Sequence, residues 1–210
     1  MQILLCSLTG YLIGNINPSY IISRLRGFDI RERGSGNAGA SNAIMTMGKK
    51  VGAVSALFDI FKAFFASVLA AQLFPQLKFA KILSGCSCII GHIFPVFMNF
   101  HGGKGLASLA GTILAFDPEL FISLLILEII IGFSLDYICV VPITGSALFM
   151  AYYAFITGDA TGTLLLALTA VIILFKHIEN LRRIQNGTEA HLSFLWHKDQ
   201  ELERIKKNEH

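Results

Sequence analysis

Long apolar runs dominate this chain, separated by short polar stretches. The runs fall at 2–23, 51–74, 80–100, 105–116, 119–135, 137–156 and 161–176. A helix that crosses the hydrocarbon layer needs about 20 residues. The pattern therefore predicts an all-α membrane protein with seven transmembrane helices, several of them short. Runs 105–116 and 119–135 are expected to tilt, or to sit partly buried among longer neighbours, leaving room for a water-filled cavity. No basic region precedes the first run, so MQILLCSLTGYLIGN reads as a span and not as a cleaved leader. On this reading residues 1–195 form a single transmembrane domain, and 196–210 form a charged, solvated tail.

Composition agrees with the pattern. The chain has 210 residues, of which 54% are hydrophobic and only 15% charged; soluble domains carry about 25% charged residues. A net charge of +3 is too small to point to nucleic acid, but the positions of the charges are informative. Arg24, Arg26, Arg31, Arg33, Lys49 and Lys50 lie between the first two runs, and Lys104 follows the third. Lys176, Arg182, Arg183, Lys198, Arg204, Lys206 and Lys207 end or follow the last run. With seven spans all of these share one side, and the other side keeps only Lys78 and Lys81. The positive-inside rule makes the rich side cytoplasmic, with the N-terminus outside and the C-terminus in the cytoplasm. Cys6, Cys86, Cys88 and Cys139 all lie in apolar stretches without metal-ligand spacing, and read as buried free thiols.

Three polar stretches interrupt the apolar pattern on that basic side. The first, RERGSGNAGASN, covers Arg31 to Asn42. Its glycines match GxGxxG, and Asp59 follows Gly39 at the distance of a dinucleotide site. A membrane span precedes the motif, however, where that fingerprint requires a strand. The physics of the glycines survives without that fold. Small residues let backbone N–H groups converge on an anion, and Ser35, Asn37, Ser41 and Asn42 add side-chain donors. The segment Ala40 to Met47 can start a helix whose N-terminus also favours negative charge. The second stretch runs from Gly91 to Ser108 and sets Lys104 among Gly102, Gly103 and Gly105 at a helix start. It is not a Walker A loop, but glycine backbone and a lone cation suit a phosphate equally well. His92, taken alone, reads as a packed histidine, and His101 as a surface one. The third stretch, KHIENLRRIQNGTE, places His177 and Asn180 on one helix face and ends in the Asn186–Gly187 turn signal. No acidic cluster suggests a metal. No His-x4-Asp and no Gly-x-Ser-x-Gly elbow occurs in the chain.

At these residues the sequence resembles the bacterial membrane acyltransferases that use acyl phosphate to acylate glycerol 3-phosphate. That family's motifs have the form GSGN-x-GATN, GH-x-x-P-x-F-x-x-F-x-GGKG, and H-x-x-N followed by a Gly-Thr-Glu-like end. Here they read Gly34-Ser35-Gly36-Asn37-Ala38-Gly39-Ala40-Ser41-Asn42, then Gly91-His92 through Gly105, then His177-Ile178-Glu179-Asn180 with Gly187-Thr188-Glu189. The resemblance implies a multi-pass protein of the bacterial cytoplasmic membrane with seven transmembrane helices and a site facing the cytoplasm. It implies no cofactor, and acyl phosphate, glycerol 3-phosphate and membrane lipid as partners. Ser35, Lys104, His177 and Asn180 are then expected to be catalytic. Gly34, Gly36, Asn37, Gly39, Asn42, His92, Gly102, Gly103, Gly105 and Glu189 are expected to bind substrate. His177 is open to two roles, base or hydrogen-bond anchor. The oligomeric state is not readable from the sequence.

The chain departs from the family's pattern in two places. The first motif usually continues to a phosphate-binding arginine, where this chain has Met45; and near the sixth span, where the family carries serines, it reads Val140-Val141-Pro142-Ile143-Thr144. These departures leave a divergent paralogue with weak activity or another acceptor as one alternative. A small-anion transporter is the other, since Asp59, Lys62 and Glu128 lie within apolar runs. Asp59 and Lys62, three residues apart, read as a structural pair. No inverted repeat of the kind transporters use is visible.

Overall fold

The computed structural model describes residues 1–197, 200–201 and 203–205, and it contains no strand among them. The helices are α1 (Gln2–Gly14), α2 (Pro18–Leu25), α3 (Ala40–Met47), α4 (Lys49–Leu73), α5 (Ala80–Ile93), α6 (Leu106–Phe116), α7 (Pro118–Leu135), α8 (Val141–Thr157) and α9 (Ala160–Gln185). Five segments are long and apolar enough to cross a membrane: Lys49–Leu73, Ala80–Met98, Pro118–Leu135, Ile138–Thr157 and Ala160–Gln185. The first four coincide closely with apolar runs, and the fifth starts with the last run and outlasts it. The other two runs give shorter helices, α1 with 13 residues and α6 with 11.

The first apolar run is not one helix. It breaks at residues 15–17, because Pro18 cannot continue α1 and instead opens α2 at its first turn. Asn17 caps α2, its Oδ1 accepting the Tyr20 N–H at 2.9 Å. The last run differs in the other direction. α9 continues past residue 176 and carries His177 and Asn180 on its buried face, in line with Ile173.

Helix starts elsewhere follow ordinary capping chemistry. Asp117 accepts from the Glu119 and Leu120 N–H groups at the start of α7, and Asp159 does the same for Thr161 and Gly162 at the start of α9. α1 packs closely along α5 because Gly10 and Gly14 face it. A Cβ on either would collide with the backbone oxygen of Ser84 or Cys88. The largest buried cluster joins α5, α6, α7, α8 and α9 around Ile89, Ile93, Leu109, Phe149, Leu166 and Ile173. All four cysteines are free and buried.

Inside the bundle, Asp59 and Lys62 do pair, at 2.6 Å, as their spacing on α4 suggests. The structure adds His92, whose Nδ1 lies 3.3 Å from Asp59 Oδ1 and 3.1 Å from Lys62 Nζ. The segment expected to be a solvated tail is partly docked. Glu201 is buried, and Arg204 donates to the carbonyls of Gly187 and Glu189, each at 2.6 Å. Arg204 also pairs with Glu201, so a short helical piece is held against the end of α9 by backbone acceptors that the sequence pattern does not reveal. Of the basic positions counted in that tail, Lys198, Lys206 and Lys207 lie outside the described residues.

Candidate active site

The first polar stretch folds as a tight loop ahead of α3. Gly34 and Gly36 adopt positive φ, 59° and 70°, which glycine allows without strain. Asn42 organises the loop from within. Its Oδ1 accepts the Ser35 N–H at 3.0 Å, and its Nδ2 reaches the carbonyls of Ile30, Arg33 and Asn37 at 3.0, 2.9 and 2.8 Å. The side chain is only 1% exposed. Asn42 thus shapes the loop and does not line the cavity described below, in contrast to the substrate contact expected for it. Its position on the first turn of α3 turns its amide inward, where the loop consumes every polar atom.

The second stretch leaves α5 at Pro95, passes through left-handed Asn99 and Phe100, and returns to the helix end. Gly102 N–H donates to Ile93 O at 3.1 Å, and Gly103 N–H to His92 O at 3.0 Å. A Cβ on Gly103 would strike the His92 ring, so only glycine lets the loop lie this close. Gly105 then caps α6 with φ 93°. The turn aims Lys104 across the bundle, where its Nζ donates to Asn180 Oδ1, a partner 76 residues away.

The third stretch completes a polar chain. Asn180 Nδ2 donates to Glu189 Oε1 at 2.6 Å, and Arg183 Nε to Glu189 Oε2 at 2.7 Å. Lys104, Asn180, Glu189 and Arg183 are therefore one continuous network. His177 is 3% exposed, and its Nδ1 bonds to Ile173 O at 2.8 Å. A carbonyl can only accept, so Nδ1 carries the proton in the neutral ring, and Nε2 is left with a lone pair. Burial, followed by the charge of Arg183, lowers the Lys104 pKa below its ordinary value, and Glu189 opposes part of that shift. The cation is thus held partly desolvated.

These loops converge on one cavity of about 750 Å³. Ser35, Asn37, Lys104, His177, Asn180 and Glu189 all line it, together with Gly34, Gly39, Gly105 and His92. Gly36, Gly102 and Gly103 do not. They supply backbone geometry behind the wall, where a side chain would not fit or would be strained. Ala53, Ala56, Leu106, Ile138 and Pro142 form an apolar side of the same cavity, and Met45 also faces it. The lining comes from the N-terminal ends of α4, α6 and α8 and the C-terminal end of α9, so the cavity sits at one end of the bundle. Among the described residues no set of His, Cys, Asp and Glu side chains converges as metal ligands.

Among the polar lining residues, Thr46, Asp59, Cys139, Arg183, Thr188 and Glu201 escaped the sequence reading as site residues. Arg183 could have been found, since it continues the three-residue spacing of His177 and Asn180. For Asp59 the local signals were its place inside an apolar run and its spacing from Lys62.

The family model described as glycerol-3-phosphate acyltransferase matches residues 4–187. Relatives named glycerol-3-phosphate acyltransferase include one from Finegoldia magna, 36% identical, with 91% of this chain and 97% of that protein covered. Another, from Bacillus subtilis (strain 168), is 33% identical, with 93% and 100% covered. A crystal structure of PlsY (YgiH), an integral membrane glycerol 3-phosphate acyltransferase in its glycerol 3-phosphate form, superposes with a TM-score of 0.85 at 27% identity, covering 93% of this chain and 98% of that one. A second, in the lysophosphatidic acid form, gives a TM-score of 0.80. The chain is thus a multi-pass membrane protein, and it belongs to the glycerol-3-phosphate acyltransferase family.

Proposed function

We propose that this chain transfers an acyl group from acyl phosphate to the 1-hydroxyl of glycerol 3-phosphate, yielding lysophosphatidic acid and inorganic phosphate. The observation that carries the reading is that Ser35 and Lys104, from two distant loops, and His177, from the C-terminal part of α9, line one cavity that also has apolar lining residues. Such a cavity suits a substrate pair with two anionic groups and a lipid tail. The bundle end that holds it also carries Arg31, Arg33, Lys49, Lys50 and Arg182, which supports a cytoplasm-facing site. With α1 and α6 counted as short spans, the chain crosses seven times.

In this mechanism the donor phosphate sits against Ser35, Asn37 and Lys104. The acceptor's phosphate and glycerol oxygens meet Asn180, Arg183 and His177. His177 Nε2 accepts the proton of the attacking hydroxyl as its oxygen bonds to the acyl carbon. The bond from that carbon to the phosphate oxygen breaks, and phosphate departs with the electron pair. Phosphate is a good leaving group, so the protein's main contributions are alignment, charge neutralisation and exclusion of water. The acyl tail runs along Ala53, Ala56, Leu106, Ile138 and Pro142 towards the lipid. The test is purified protein given glycerol 3-phosphate with either acyl phosphate or acyl-CoA. Product from acyl phosphate alone is expected; product from acyl-CoA at an equal rate would overturn the donor assignment.

A further inference from the structure

The break in the first apolar run lies outside the cavity, yet it touches both loops that carry Ser35, Asn37 and Lys104. Three consecutive residues each hold a different piece. Asn15 Oδ1 accepts the Val96 N–H at 2.6 Å, at the start of the turn that leads to Lys104. Ile16 O accepts from Lys62 Nζ at 2.6 Å, and Lys62 in turn contacts Asp59 and His92, the residue over which Gly103 folds. Asn17 Nδ2 donates to Ala38 O at 2.9 Å, between the cavity residues Asn37 and Gly39. Asn15 and Asn17 are 5% and 2% exposed, so water cannot readily replace these bonds. A continuous helix would have spent the Ile16 carbonyl on itself; the break frees it for Lys62 on α4. The Asn15 and Asn17 side chains reach two loops at Val96 and Ala38, which are more than fifty residues apart in sequence.

We propose that this break, Asn15-Ile16-Asn17, is the register device of the anion site, and that Asn17 is a positioning residue holding the Ser35–Asn37 nest at a set distance from Lys104. The inference rests on the reading of that nest as the phosphate site, but not on the identity of the acyl donor. Asn17 acts at second hand, through Ala38 O. The informative change is Asn17→Asp, which keeps an oxygen to cap α2 but replaces the donor to Ala38 O with a second acceptor. Asn17→Ser keeps a capping oxygen and is too short to reach Ala38; it repeats the measurement if the aspartate variant does not fold.

The experiment is titration of the purified full chain in detergent with inorganic phosphate and with glycerol 3-phosphate, for wild type, Asn17→Asp, Ser35→Ala, Lys104→Ala and the Asn17→Asp/Ser35→Ala double variant. Asn17→Asp is expected to weaken binding about tenfold. The double variant is expected to bind better than the product of the two separate losses requires, because both act on one loop. A merely destabilising change would multiply with Ser35→Ala in full. Binding by Asn17→Asp equal to wild type, or a double variant matching the product within twofold, would overturn the proposal. If Ser35→Ala and Lys104→Ala both bind as wild type, the nest reading itself fails, and the inference with it; if they bind weakly while Asn17→Asp does not, the inference alone fails.

Discussion

Replacing Lys104 by alanine removes the cation that links the second loop to α9. In the native chain its Nζ donates to Asn180 Oδ1, inside a network that continues through Glu189 to Arg183. A hydrogen bond to a charged group contributes about 1.5–3 kcal/mol, and each 1.36 kcal/mol is tenfold in rate. Lys104→Ala should therefore lower kcat/KM about 10- to 200-fold, with Lys104→Met as the control that keeps side-chain bulk. The assay is formation of acylated product from acyl phosphate and glycerol 3-phosphate by purified protein. The pH profile gives a second readout. The cation is the binding form, and burial with Arg183 sets its pKa below the ordinary 10.5. Activity should hold at lower pH and fall as pH climbs through that lowered pKa, inside the window under 10.5. Lys104→Arg, whose charge does not titrate there, should lose this alkaline limb. Activity of Lys104→Ala within threefold of wild type would remove Lys104 from the site.

Other changes probe separate parts of the cavity. His177→Ala should lower kcat by about 100-fold or more, the usual worth of general base catalysis; a loss confined to KM would assign the ring to anchoring. Met45→Arg, which restores the family's usual cation on the cavity wall, should lower KM for glycerol 3-phosphate about tenfold, one charge-assisted contact; an unchanged KM in steady-state assays would refute this. Burial opposes ionisation of Glu201, but the Arg204 guanidinium and the His191 N–H outweigh it and hold its pKa below 4.5. The stability this contributes is present above pH 4.5 and lost as pH falls through the lowered folded value. Glu201→Gln should accordingly flatten the acid limb of the melting temperature measured by thermal unfolding in detergent, and an unaltered limb would show that the docked segment does not contribute.

Much of this architecture was readable from local pattern. Apolar runs set four of the five long segments to within two residues, and the start of α9, because hydropathy acts within a segment and needs no partner. The same runs hid the break at Asn15-Ile16-Asn17. Pro18 after Asn17 signalled it, but the surrounding apolar residues outweighed that signal. The polar loops announced themselves by glycine and asparagine content, and the family motifs located Ser35, Lys104, His177 and Asn180. Sequence could not say which polar atom a loop keeps for itself. Asn42 and Ser41 are neighbours of similar chemistry, yet Asn42 is consumed inside the loop and Ser41 faces the cavity. Nor could it show that Lys104 would meet Asn180, that His92 would join Asp59 and Lys62, or that Arg204 would return to Gly187 and Glu189. Helix formation and membrane partition depend on neighbours along the chain, so the sequence alone determined them. The aim of each buried donor depends on which helices pack side by side, and only the tertiary structure decided that.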